Sequence, residues 1–145
     1  MIIDHLGIVV NSVEKSIEYW ENVFGYKQMT EIVINTRQKV KVVFLTKENS
    51  ILIKLIEPTD ETSPAYRAAK KGGGLHHLCF RCEDIEEEMK RLKSLGLRAI
   101  TNSQPGEAFE NCNIAFLLGN QGLNIELIDT DKKAGKILRE NNNSK

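Results

Sequence analysis

Short runs of β-branched residues alternate along the chain with stretches whose apolar positions recur at helical spacing. Residues 2–10 (IIDHLGIVV) predict a buried strand. Strand alternation puts Ile3, His5 and Gly7 on one face and Asp4, Leu6 and Ile8 on the other. Asn11 or Ser12 can cap a helix along which Val13, Ile17, Trp20 and Phe24 recur, and Gly25 is a stop signal. Residues 29–35 and 39–46 predict two strands joined by the polar turn Asn35-Thr36-Arg37-Gln38. Residues 51–56 (ILIKLI) predict another, with the charge of Lys54 inside an apolar run, and Pro58 ends it.

Ser63-Pro64 reads as a cap with proline at the first helical position, opening a short helix over 64–71 that ends at Gly72-Gly73-Gly74. A strand then runs from Leu75 to Cys82. Asp84 caps the next helix, with Glu87 completing a capping-box pattern, and Ile85, Met89, Leu92 and Leu95 face a core. Residues 98–102, 112–118 and 123–128 supply three more strands. From Asp129 the chain turns polar, and a frayed C-terminal tail is expected over 129–145.

The second half repeats the first. His5 maps onto His77 at an offset of 72 residues, which also carries Leu6 to Leu78, Val13 to Ile85 and Phe44-Leu45 to Phe116-Leu117. The same offset carries Ile53-Lys54-Leu55-Ile56 onto Ile125-Glu126-Leu127-Ile128. A register kept this long indicates a duplicated unit of strand, helix and three strands. The expected fold is therefore α+β. Two tandem βαβββ modules, 2–56 and 75–128, are related by a pseudo-twofold within one domain, 1–128.

Charge adds exclusions. Twenty basic residues balance twenty acidic ones, which gives no electrostatic case for nucleic acid or an anionic membrane. No apolar run approaches the roughly 18 residues that span a bilayer. The N-terminus opens directly into a strand, so no signal peptide is expected. An odd count of cysteines, Cys79, Cys82 and Cys112, without secretory features points to a reducing cytoplasm.

The pseudo-twofold that brings His5 near His77 also brings position 54 near position 126. His5, His77 and Glu126 then offer two imidazoles and a carboxylate, a donor set suited to a divalent transition metal with open coordination positions. The fourth position is Lys54, whose ammonium is a poor ligand and repels a cation.

The repeat, His5 in DHLGIVV, the GGGLHHLCF block and Glu126 in GLNIELID resemble the vicinal-oxygen-chelate superfamily, which includes glyoxalases, bleomycin-resistance proteins and dioxygenases. The stretch from Ser63-Pro64 to Asp84-Ile85 is especially similar to methylmalonyl-CoA epimerases. The resemblance implies an eight-stranded open-barrel cleft around a divalent zinc, nickel, cobalt, manganese or iron ion. Its ligands would lie at His5, residue 54, His77 and Glu126. The resemblance also implies a small-molecule substrate, an acyl thioester or a 2-oxo-aldehyde adduct, and a homodimer. The expected reaction is proton transfer next to a metal-polarised oxygen, with Glu126 as ligand and base.

Two departures stand out. Epimerases of the family place glutamate or glutamine where this chain has Lys54. They also carry a catalytic glutamate on the strand pair corresponding to 37–40, which here reads Arg37-Gln38-Lys39-Val40. Extradiol dioxygenases and fosfomycin-resistance transferases of the superfamily use only two histidines and a glutamate. His5, His77 and Glu126 match that triad, so a three-ligand enzyme is a second reading. A third is a metal-free, resistance-type binding protein.

Lys54 itself has three readings. It pairs with Glu126 in a metal-free cleft, reaches past a metal to hold a substrate carboxylate or phosphate, or snorkels outward. Alternation sends His76 to the opposite face from His77, as a structural neighbour. The same alternation separates Cys79 from Cys82, so the pair is not expected to hold one ion. The glycine triplet lacks the spacing of a phosphate loop.

Overall fold

The computed structural model describes residues 1–137. The fold is α+β, with one mixed sheet and helices packed against it. Its strands are β1 (Ile2–Val9), β2 (Lys27–Gln28), β3 (Val33–Asn35), β4 (Val40–Thr46), β5 (Leu52–Pro58), β6 (Gly74–Arg81), β7 (Arg98–Ala99), β8 (Gln104–Gly106), β9 (Cys112–Leu118) and β10 (Asn124–Ile128). The helices are α1 (Val13–Phe24), α2 (Tyr66–Lys70) and α3 (Ile85–Ser94). The sheet runs β2-β4-β5-β1-β6-β10-β9-β7, with β3 added on β4 and β8 on β9. At its centre β1 and β6 pair antiparallel, and each takes a parallel neighbour, β5 and β10 respectively. None of the helices is long and apolar enough to cross a membrane.

Local chemistry sets the helix ends. The Ser12 hydroxyl accepts from the Lys15 amide, and Gly25 closes α1 in the left-handed region at φ 72°. Asp84 accepts from the Glu87 amide at the start of α3. The Glu87 carboxylate completes no box: it lies 3.4 Å from Lys90 instead. At α2 the cap position is Ala65, without a side-chain bond. Ser63 serves the turn before it, accepting from the Ala65 amide and donating to the Gln38 carbonyl.

Alternation divides the core into an interior and two outer layers. Val43, Leu45, Ile53 and Leu55 pack outward under Val13, Ile17 and Trp20 of α1. Ala115, Leu117 and Leu127 pack under Ile85, Met89 and Leu92 of α3. The intervening positions point inward, and Val42, Phe44, Ile56, Phe109 and Ile114 line the interior. Among the described residues ten strands form where the sequence predicts eight, because the strand that follows each of α1 and α3 is interrupted. In the first, the Thr30 hydroxyl takes the Phe44 amide at 3.0 Å; in the second, the Thr101 hydroxyl takes the Phe116 amide at 3.1 Å. A side chain replaces a backbone rung at each break.

Residues 129–137 do not fray as expected. They form a strap whose backbone is tied on two sides. The Glu31 amide donates to Gly135 and the Ile137 amide to Met29, while the Ala134 amide donates to Ala108. A bridge pairs Thr30 with Lys136. The rest of the expected tail, 138–145, lies outside the described residues.

Candidate metal centre

The register across the four central strands builds two rungs. Lys54, Gly7 and His77 share one, and His5, Cys79 and Glu126 share the next. All face the interior. His5 and Glu126 are fully buried, and His77 nearly so. His5 Nε2 lies 3.3 Å from His77 Nε2 and 3.2 Å from Glu126 Oε2, and His77 Nε2 lies 2.8 Å from the same oxygen. Gly7 makes this convergence feasible. A Cβ there would stand 2.2 Å from His77 Cε1, so the ring occupies the space a side chain would fill.

Two β-bulges complete the arrangement. Between Ile3↔Phe80 and His5↔Cys79, strand β1 carries one extra residue, Asp4. Between Gly7↔His77 and Ile8↔Leu75, strand β6 carries one extra residue, His76. Each bulged residue lies beside the histidine that follows it and reaches its Nδ1. Asp4 Oδ2 accepts from His5 Nδ1 at 2.7 Å, and His76 Nδ1 lies 2.9 Å from His77 Nδ1. His76 is therefore not turned away from His77, as strict alternation predicts, because the bulge resets the period.

Electrostatics follows from burial and neighbours. Burial pushes the Glu126 carboxyl upward, but the Lys54 charge, His77 and the close ring nitrogens of both histidines overcome this and hold it well below the usual carboxylate range. Burial lowers His77 to about 4 against the pull of Glu126, so its ring is neutral at physiological pH. For Asp4, burial is outweighed by the His5 hydrogen bond and the Lys133 charge, and its carboxyl is lowered. Two carboxylates, Asp4 and Glu126, are thus matched by two ammoniums, Lys133 and Lys54.

Lys54 is buried with 5% exposure, which removes the snorkelling reading. Its Nζ lies 3.7 Å from Glu126 Oε1 and 4.9 Å from the Phe109 ring centroid. Glu126 Oε1 is a buried oxygen without a hydrogen-bond partner among the described residues. Lys54, His76 and His77 face a narrow cavity of about 40 Å³ walled by Val42, Ile114 and Phe116. Of the four residues at 37–40, Gln38 and Val40 reach it.

The residues present fit a divalent cation. Bonds of about 2.0–2.2 Å put neighbouring donors roughly 2.8–3.1 Å apart in octahedral and roughly 3.3–3.6 Å apart in tetrahedral coordination. The triangle of 2.8, 3.2 and 3.3 Å has that size. With the His5 Nδ1 proton on Asp4, its Nε2 lone pair faces the centre. The unpartnered Glu126 Oε1 is a further donor. A second cluster, Asp4, His5 and Cys79, is a poorer fit because burial raises the Cys79 thiol well above its ordinary range. Cys82 takes no part in either cluster among the described residues and donates to the Ile128 carbonyl.

Sequence reasoning brings out His5, His77, Glu126 and Lys54, and the structure gathers all four. Sequence reasoning turns His76 away from the centre and passes over Asp4 and Lys133, and over Phe44 and Phe109, whose rings lie 5.2 and 6.0 Å from His5. The local signal for Asp4 and His76 is their equivalence in the repeat, each directly before a centre histidine.

Comparison with known proteins agrees with this geometry. The chain is 32% identical over 130 residues to the uncharacterized protein YqjC of Bacillus subtilis, covering 88% of this chain and 91% of that one. It is 30% identical over 117 residues to an ethylmalonyl-CoA/methylmalonyl-CoA epimerase of Cereibacter sphaeroides, covering 79% and 86%. The crystal structure of methylmalonyl-CoA epimerase from Mycobacterium tuberculosis superposes with a TM-score of 0.77 at 30% identity, covering 88% of this chain and 86% of that one. Residues 4–116 match the model of one family, and the chain belongs to it: the glyoxalase/bleomycin resistance protein/dioxygenase superfamily.

Proposed function

We propose that this protein moves a proton at a carbon next to the carbonyl of an acyl thioester, in the manner of an epimerase, with a divalent cation held by His5, His77 and Glu126. The observation that carries this is the triangle of three buried donor atoms with edges of 2.8, 3.2 and 3.3 Å. The epimerase relatives support the substrate class. We read the sheet as two βαβββ modules closing on an open-barrel cleft, a reading supported by the equivalent bulges and parallel pairs in the two halves.

A bound cation supplies charge that stabilises a developing enolate oxygen and so lowers the barrier to losing the adjacent proton. The chain's own residues do the rest. Val42, Ile114 and Phe116 give the cavity apolar walls against which the acyl end would lie, with the bulk of the thioester outside. Lys54 presents an ammonium to any anionic group on the acyl chain. Glu126 Oε1, which has no hydrogen-bond partner among the described residues, is the oxygen we assign to take the proton.

The test is solvent exchange. The protein, stripped by chelation and reloaded with Co²⁺, Mn²⁺ or Zn²⁺, is incubated with methylmalonyl-CoA in D₂O, and deuterium at C2 is followed by mass spectrometry. Metal-dependent incorporation is expected; none with any metal overturns the proposal. The Lys54–Glu126 distance of 3.7 Å favours one second reading, a metal-free binding protein in which the pair neutralises itself. Elemental analysis after native purification separates the two.

A further inference from the structure

Lys133 comes from a segment that composition marks as tail, yet its side chain is 4% exposed. A buried ammonium is retained only where partners offset its desolvation. Lys133 Nζ has them. It lies 3.2 Å from Asp4 Oδ1 and 3.1 Å from Asp4 Oδ2, 3.5 Å from the Asp131 carbonyl oxygen, and over the rings of Phe44 and Phe109 at 5.3 and 5.4 Å.

Asp4 is already committed elsewhere. The oxygen 3.1 Å from the ammonium, Oδ2, is the one that accepts from His5 Nδ1 at 2.7 Å. A contiguous chain therefore runs from the strap to the centre: Lys133, Asp4, His5, then Glu126 and His77. Its outer end is fixed by backbone on both sides. The Ala134 amide, next to Lys133, donates to Ala108, and Gly135 accepts from Glu31. The other histidine has no such support: His77 Nδ1 is met by His76, itself a side chain at the cavity.

We propose that Lys133 is a positioning residue of the centre. Held by the strap, it fixes Asp4 in the rotamer that receives the His5 Nδ1 proton, so that His5 offers its Nε2 lone pair inward. The consequence for metal binding rests on the function proposed above. The orientation of His5 does not.

The experiment therefore has two arms. In metal-free protein, imidazole ¹⁵N shifts report the tautomer of His5. In parallel, calorimetric titration with Zn²⁺ reports affinity. Wild type should show His5 protonated at Nδ1. Lys133→Met keeps the stem and removes the charge. It should shift His5 toward a tautomer mixture and weaken Zn²⁺ by about 10- to 100-fold, the range for losing a partner behind a ligand. Should the unpaired Asp4 prevent folding, Lys133→Met is made in Asp4→Asn, where residue 4 has no charge to neutralise, and should show the same two changes relative to Asp4→Asn alone.

The proposal is overturned if a folded variant keeps a pure Nδ1–H His5 and binds Zn²⁺ within twofold of wild type. A lysine that merely neutralised Asp4 would leave the doubly substituted protein indistinguishable from Asp4→Asn alone, and this too overturns it. Wild type that takes up no Zn²⁺ while its His5 responds to Lys133→Met would sink the metal reading alone.

Discussion

Lys54 Nζ stands 3.7 Å from Glu126 Oε1, too far for a hydrogen bond and near enough for a strong charge interaction in a buried cleft. The two residues are repeat equivalents, and each faces inward from the parallel neighbour of a central strand. A divalent cation at the centre competes with the ammonium for Glu126 and is repelled by it. At an effective dielectric of about 20, unit charges about 4 Å apart interact by about 4 kcal/mol, so even a fraction of that is a tenfold effect. Lys54→Met should tighten Zn²⁺ and Mn²⁺ binding by about tenfold, and Lys54→Glu by more, because it adds an oxygen donor. Calorimetric titration of the three proteins checks the order. Equal affinity of wild type and Lys54→Glu would mean that the ammonium withdraws at no cost when metal enters.

Acid should destabilise the protein in two steps. The folded value of His77, about 4, lies below its ordinary 6.5, so the unfolded chain takes the proton first. Stability is full above about 6.5 and falls by on the order of 3 kcal/mol as pH drops toward 4. Glu126 and Asp4 are also depressed. Their contributions are present above their ordinary values of 4.5 and 3.8 and are lost as pH falls below them. Unfolding midpoints in urea, taken from pH 8 to pH 3.5, should be level above pH 7 and fall below 6.5. His77→Gln should flatten the first step and reduce the second, because His77 helps hold Glu126 low. A midpoint unchanged between pH 7 and pH 4.5 contradicts this.

The parts of the centre that were legible in the sequence are those that obey period. His5 and Lys54 stand at inward positions of apolar strands, and the offset of 72 residues carries them onto His77 and Glu126. Asp4 and His76 were misplaced because each sits on a bulge, where one extra residue cancels the alternation on which the face assignment rests. The broken second strands were hidden for a related reason: Thr30 and Thr101 bond the facing strand through hydroxyls, and threonine also suits an unbroken strand. Lys133 was hidden by composition. Its partner Asp4 lies 129 residues away, and no local pattern announces so distant a pair.

Gly7 should tolerate no side chain. Its backbone conformation is ordinary, and the obstacle is space alone: a Cβ would fall 2.2 Å from Cε1 and 2.5 Å from both nitrogens of His77. The ring must then swing away from Glu126 Oε2. Gly7→Ala should cost about 1–3 kcal/mol through overpacking and reduce Zn²⁺ affinity at least tenfold. Thermal unfolding with and without Zn²⁺ reads both. Full retention of metal affinity would show that His77 contributes no ligand atom.

None of Arg37, Gln38, Lys39 and Val40 is an acid, and of the four Gln38 is the polar one that lines the cavity. Inverting a carbon requires a proton to leave one face and another to arrive on the opposite face, so epimerisation draws on a group at each side. Glu126 is the carboxylate proposed for one side, and the cavity wall carries Gln38, whose amide can neither take nor give a proton at neutral pH. The turn that carries Gln38 is well fixed. Its amide donates to Asn35 Oδ1 at 3.0 Å, and its carbonyl accepts from the Ser63 hydroxyl at 3.2 Å. A carboxylate at position 38 would therefore sit where the amide now sits. Wild type should wash deuterium into C2 of methylmalonyl-CoA faster than it inverts the centre, because removal and return share one face. Gln38→Glu should raise the inversion rate by about 10²- to 10³-fold while exchange rises less, so that the ratio of the two approaches unity. Chiral analysis of the labelled product measures that ratio directly. A wild-type ratio already near unity would place a second proton carrier elsewhere on the cavity wall, and an unchanged ratio in Gln38→Glu would show that position 38 does not reach the reacting carbon.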